Sequence, residues 1–172
     1  MTIAECLRWA QAQLPAESAG LESYLLLEHV SGMARTTLYA WPEREVESSV
    51  QRRFCTLVQE RCEGVPIAYL LGHREFYGLA LKVDKRVLIP RPETELLVDV
   101  ALEYSFNEKS KALDLGTGSG AIALALASQQ PQWSIDAVDQ SEEALLVAKS
   151  NQVALGLKNI EFYCSDWFTS IA

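Results

Sequence analysis

At 172 residues, 49% hydrophobic, with a formal net charge of −8 and a mean hydropathy of +0.02, the chain has the make-up of a soluble globular protein of one domain or two small ones. The acid excess argues against direct nucleic-acid binding, which needs clustered Lys and Arg. No apolar run reaches the roughly 18 residues a membrane span requires, and Met1-Thr-Ile-Ala-Glu-Cys6 lacks the basic-then-apolar pattern of a signal peptide, so no membrane partner and a cytoplasmic location are expected.

Residues 1–72 read as helical. Thr2-Ile-Ala-Glu5 is a capping-box pattern, Ile3, Leu7 and Ala10 follow at helical spacing, and Pro15 ends the segment. Leu21 to Val30 forms a second apolar helix stopped at Ser31-Gly32, and Thr36 to Trp41 a short third turn. Val46, Val50, Phe54, Leu57 and Val58 mark one face of a longer helix, with Gly64 as its C′ residue and Pro66 just beyond. Arg52-Arg53 and Lys82 to Arg86 are short basic spots that read as solvated surface. Cys6, Cys55, Cys62 and Cys164 form no Cys-x-x-Cys pair, and His29 and His73 lie far apart; buried free thiols are expected, with no metal site and no disulfide.

The pattern changes near residue 73. Glu75-Phe-Tyr77, Leu79 to Val83 and Val87-Leu-Ile89 look like short strands, with turn chemistry at Gly78 and at Asp84-Lys-Arg86. Pro92 suits the first position of a helix that continues to Tyr104, with Leu96, Leu97, Val100 and Ala101 on one face. A polar loop covers Asn107 to Lys111. Strand and helix then alternate: strands at Ala112–Leu115, Ser134–Val138 and Ile160–Cys164, helices at Gly120–Ser128 and Ser141–Leu155, the latter closed by Gly156. Repeated β-α-β with short loops implies a parallel sheet whose ligand lies at the carboxyl ends of the strands. Three parallel strands are half of a doubly wound sheet, so the chain is expected to be a fragment.

Those strand ends carry the chemistry. Asp114-Leu-Gly-Thr-Gly-Ser-Gly120 turns a strand into a helix, and glycines let a ligand approach the backbone while N–H groups at the helix start face it. Asp139, ending the second strand, offers a carboxylate to the two hydroxyls of a ribose. Asp166-Trp167, after the third, offers an acceptor for an adenine amino group and a ring to pack on it. Both NAD and S-adenosylmethionine enzymes use such a set. Asp114 favours the methyl donor, because it would repel a pyrophosphate but attract an ammonium group. Simpler roles stand beside these: a tight turn for the glycines, a helix cap for Asp139, core packing for Trp167.

Two further blocks are Pro66-Ile-Ala-Tyr-Leu-Leu-Gly-His-Arg-Glu-Phe-Tyr-Gly78 and Leu88-Ile-Pro-Arg-Pro-Glu-Thr-Glu95. With the glycine loop and Ser165-Asp-Trp-Phe168, they make the whole chain resemble the HemK-type (PrmC-type) N(5)-glutamine methyltransferases that modify peptide-chain release factors. The resemblance implies an α/β chain in three parts. A helical substrate-recognition domain covers 1–72 and a β-hairpin linker 73–90. The first half of a Rossmann-like S-adenosylmethionine-dependent methyltransferase domain covers 91–172. It implies methylation of the side-chain amide in a Gly-Gly-Gln motif, with release factors as partners. Gly116, Thr117, Gly118, Ser119, Gly120, Asp139 and Trp167 take cofactor-binding positions, Asp166 assists at the adenine, and Arg91 to Thr94 line the cofactor side of the cleft; a structural salt bridge is the plainer role for Arg91. The family's Asn-Pro-Pro-Tyr motif, which holds the substrate glutamine, does not occur in residues 1–172. No catalytic residue is therefore expected in this chain, and the fragment is expected to be inactive alone. The alternatives are a methyltransferase acting on a ribosomal-protein glutamine or a nucleic-acid amino group, an NAD-binding oxidoreductase, and a binding module without catalysis.

Overall fold

The computed structural model describes residues 1–104 and 109–169. The polar loop from Asn107 therefore lies partly outside the described residues, as does the end of the chain. The protein divides into two compact units, Met1–Leu71 and Gly72–Ala172.

The first unit is helical: α1 (Ile3–Gln13), α2 (Ala19–Ser31), α3 (Arg35–Ala40), α4 (Ser48–Cys62) and α5 (Ile67–Leu71). Its first helix starts as the sequence suggests. The Thr2 hydroxyl accepts from the Glu5 N–H and the Glu5 carboxylate accepts from the Thr2 N–H, closing the capping box. Ile3, Cys6, Leu7 and Ala10 then face Leu26, Leu27, Phe54 and Val58 in one core. Burying each large aliphatic side chain contributes roughly 1.5–3 kcal/mol. Buried Glu22 on α2 takes a two-pronged ion pair from Arg61 on α4, at 2.8 and 3.0 Å. Val46 is buried, but it precedes α4 instead of starting its apolar face, because its N–H is bonded to the Met1 carbonyl. All four cysteines are free; Cys6 is buried, Cys55 half-buried, and Cys62 and Cys164 are exposed, so the expectation of buried thiols holds for Cys6 alone.

The second unit opens with a hairpin of β1 (His73–Phe76) and β2 (Leu79–Lys82), paired antiparallel. Tyr77 and Gly78 join them, both at positive φ (51° and 75°). That is the backbone of a type I′ turn, the tight link that matches strand twist. A glycine accepts it freely; Tyr77 is held there by its own N–H, which donates to Glu95, and by its hydroxyl, which donates to Asp99. The segment Val87-Leu-Ile89 is not the third strand its apolar run suggests. Arg86 folds back onto Asp84 and the Val87 N–H bonds the Asp84 carbonyl, so a turn forms where a ladder would begin. The Arg86 side chain holds the Asp84 carboxyl down at about 2.

A 3₁₀ turn (Pro92–Thr94) with Pro at its start leads into α6 (Glu95–Glu103). The buried face of α6 is Val98, supported by Ala101 and Leu102. Leu96, Leu97 and Val100, which share one face in the sequence pattern, are exposed. Periodicity marks an apolar stripe, but the hairpin and α7 are packed on the other one. The sheet is β3 (Lys111–Leu115), β4 (Ser134–Asp139) and β5 (Ile160–Cys164), parallel and in that spatial order. Between the strands run α7 (Ala121–Gln129) and α8 (Glu142–Leu155). The α7 run Ala123 to Ala127 is buried almost throughout, its small side chains letting the helix settle closely on β4 and α8. This α/β arrangement is Rossmann-like, as the alternation of patterns suggests.

Candidate functional site

The parallel sheet delivers the predicted residues to one end. The glycine loop leaves β3 after Leu115, Asp139 ends β4, and Asp166-Trp167 follow β5. The register aligns these ends, with Leu115 opposite Val138 and Asp139 opposite Cys164. A cavity of about 280 Å³ lies over them, lined by Leu115, Gly116, Val138, Asp139, Gln140, Ser165, Asp166 and Trp167. A second, of about 150 Å³, flanks the other side of Gly116 and is lined by Leu88 to Arg91, Thr94, Asp114 and Thr117 to Ser119. Gly120 faces neither cavity; it is buried beneath, where the loop enters α7.

The loop's hydrogen bonding corrects the picture of backbone N–H groups waiting for a ligand. Gly116 and Thr117 both donate to the Val138 carbonyl, at 2.9 and 2.8 Å, and Gly120 donates to Thr117. Gly118 donates to the Asp139 carboxylate at 2.8 Å. Closing the turn onto β4 uses four of the loop's donors, those of Gly116, Thr117, Gly118 and Gly120. Asp139 does more than its place in the sequence suggests. One oxygen holds Gly118 and the other holds the Ser141 N–H at 2.9 Å, so it anchors the loop and the start of α8. Each carboxylate oxygen still has a second lone pair to offer.

Asp114, next to last in β3, sets its carboxylate against the start of α7, where it is largely desolvated. Burial pushes its carboxyl above the usual carboxylate value, although the Thr117 hydroxyl at 2.7 Å and the Ala123 N–H favour the charged form; the nearby Asp139 adds to the upward push. No Lys or Arg forms an ion pair with Asp114 among the described residues. The helix start, usually an anion site, is thus already filled by an acid. The shape is that of a pocket for hydroxyls and a cation, with Arg91 across the smaller cavity as its one positive group. Arg91 is exposed and makes no ion pair among the described residues, so it does not play the salt-bridge role allowed for it.

Trp167 is 66% exposed, which rules out core packing. Its φ of 51° is left-handed, a conformation that costs a non-glycine residue about 1–3 kcal/mol. The Ser165 hydroxyl fixes it by donating to the Trp167 carbonyl at 2.9 Å. The ring is therefore held out on the rim of the larger cavity. Sequence reasoning missed Gln140, which carries no motif, and assigned no role of their own to Ser165 or to Glu95, whose hold on Tyr77 spans 18 residues. Asn151 was missed too, although a polar residue three after Ala148 on the apolar face of α8 was a signal.

Among the described residues no helix is long and apolar enough to cross a membrane, and no group of His, Cys, Asp or Glu is placed to hold a metal ion.

The description "PrmC N-terminal domain" matches residues 5–72, and "Methyltransferase domain" matches residues 106–172. The chain is 47% identical over 171 residues to the release factor glutamine methyltransferase of Shewanella oneidensis, covering 98% of this chain and 60% of that protein. It is 46% identical over 167 residues to the protein of the same name from Pseudomonas aeruginosa, covering 96% of this chain and 60% of that one. The Escherichia coli protein of that name gives 45% over 167 residues, with the same coverage of 96% and 60%. The chain thus spans about 60% of the length of these curated relatives.

Proposed function

We propose that the chain belongs to the PrmC-type methyltransferase family and is the helical domain, hairpin and cofactor-binding half of an S-adenosylmethionine-dependent methyltransferase acting on the glutamine of a release factor's Gly-Gly-Gln motif. The observation that carries the cofactor assignment is the filled helix start. The Asp114 carboxylate there repels a pyrophosphate and attracts an ammonium. An NAD-binding reading is disfavoured on the same ground.

The residues fit the cofactor end to end. Asp139 would accept from the ribose hydroxyls, with Trp167 packing on the adenine and Asp166 accepting from its amino group. Asp114 and Arg91 present opposite charges in the smaller cavity, complementary to the ammonium and carboxylate of the methionyl end. When bound, the cofactor supplies an electrophilic methyl on a sulfonium sulfur. The chain's own contribution is to hold that group in place. The helical unit is assigned to release-factor recognition, and the location to the cytoplasm.

Calorimetry on residues 1–172 is expected to detect S-adenosylmethionine and S-adenosylhomocysteine but not NAD, and the polypeptide alone is expected to transfer no methyl group. The full-length protein is expected to methylate a release factor and not a ribosomal protein. NAD binding, or transfer by 1–172 alone, would overturn the reading.

Asp114→Asn separates the acid's two effects. The raised carboxyl favours the folded state below about 3.8, the unfolded reference, and that contribution is lost as pH rises through the folded value. At neutral pH the buried charge is therefore a liability. The variant is expected to melt higher than the parent, while S-adenosylhomocysteine affinity falls about tenfold or more through loss of the charge-assisted bond to the ammonium. Scanning calorimetry and titration calorimetry check the two halves.

A further inference from the structure

Asn151 lies in α8, is 2% exposed, and reaches two separate parts of the second unit. Its side-chain oxygen accepts from the Lys82 N–H at 2.7 Å and its amide nitrogen donates to the Lys82 carbonyl at 3.1 Å. The same nitrogen donates to the Ser119 carbonyl at 2.9 Å. One side chain thus completes the ladder edge of β2 and grips the glycine loop. The Ser119–Gly120 peptide is then pinned on both sides, its carbonyl by Asn151 and its N–H by the Thr117 carbonyl at 2.8 Å. A peptide held at both ends cannot rotate without breaking a buried hydrogen bond, and an unpaired buried polar group is disfavoured strongly.

We propose that Asn151 is a positioning residue for the cofactor loop, a strut through which the docked hairpin and α8 hold the Ser119–Gly120 peptide in its ligand-ready orientation. It touches no ligand itself. Its contribution is preorganisation: a loop already ordered gives up less conformational freedom when a ligand binds. The Gly118 N–H to Asp139 bond fixes the upstream half of the turn, and Asn151 fixes the downstream half. The loop conformation therefore depends on a contact made 32 residues further along the chain, in the helix after β4.

The binding arm rests on the S-adenosylmethionine reading; the exchange arm does not. Asn151→Ala removes every bond. Asn151→Asp keeps the shape and the acceptor facing Lys82 but removes the amide donors, and it serves where the alanine variant folds poorly. Amide hydrogen exchange of residues 1–172 without ligand is expected to speed up at least tenfold at Gly118 and Gly120 in both variants. Lys82 should lose protection in Asn151→Ala and retain it in Asn151→Asp. S-adenosylhomocysteine affinity, measured well below the melting temperature, is expected to fall five- to twentyfold. Unchanged exchange at Gly118 and Gly120, or affinity within twofold of the parent despite a lowered melting temperature, overturns the proposal and leaves Asn151 as a support for the hairpin alone. If the parent chain binds no S-adenosylhomocysteine, the cofactor reading fails and the exchange result decides the strut by itself.

Discussion

Replacing Gly120 with alanine is expected to lower the unfolding stability of the second unit by about 3 kcal/mol and to abolish measurable cofactor binding. Two independent strains combine. Gly120 has φ +85°, a conformation that disfavours any L side chain, and an added Cβ would lie 2.8 Å from Leu124 Cδ1 and 3.3 Å from Ala148 Cβ. Leu124 is fully buried and has little room to give. The nearby Gly116 provides the control: its φ is +80°, but nothing lies within 4 Å of the position its added methyl would take. Gly116→Ala should show the backbone strain alone, about 1 kcal/mol. Urea unfolding of both variants separates the terms; equal losses would show that the packing of α7 against α8 tolerates the extra carbon.

The other large effect is at Asp139. Asp139→Ala removes the acceptor proposed for the ribose hydroxyls together with the anchor of the Gly118 and Ser141 N–H groups. Hydrogen bonds to a charged group are worth about 1.5–3 kcal/mol each, so loss of the two ribose bonds predicts more than a hundredfold weaker binding. Asp139→Asn retains a carbonyl oxygen for one N–H but turns a donor toward the other, and should fall between alanine and the parent. Titration with S-adenosylhomocysteine checks the order. A parent-like affinity for Asp139→Ala would remove the ribose role.

What could be read from the sequence follows the range over which each feature is determined. The capping box at Thr2, the turn at Gly78 and the glycine loop are local chemistry, and they stand in the structure where their residues place them. Alternating strands and helices around Asp114, Asp139 and Asp166 brought the acids to one sheet end, because a parallel sheet with short loops has few other ways to close. The misreadings concern features decided at a distance. Leu96 and Leu97 share a helical stripe with no bearing on which side of α6 meets the hairpin. Val87 to Ile89 is apolar enough for a strand, but the Asp84–Arg86 pair bends the chain first. The glycine loop's donors looked free only because their acceptor, the Val138 carbonyl, belongs to the next strand. Asn151 finds its partners 32 and 69 residues away.

The acid that fills the start of α7 also bears on competition for the site. Phosphorylated metabolites are abundant in cells, and a bare helix N-terminus would attract them; Asp114 closes that route by charge. The protection has a counterpart. A donor and its demethylated product share the ammonium, the ribose and the adenine, so a pocket built on those groups discriminates poorly between them, the sulfonium charge being the main difference. On the proposed assignment, selectivity against anions comes from contacts that the spent cofactor would also make, and inhibition by product is the expected companion of this loop design.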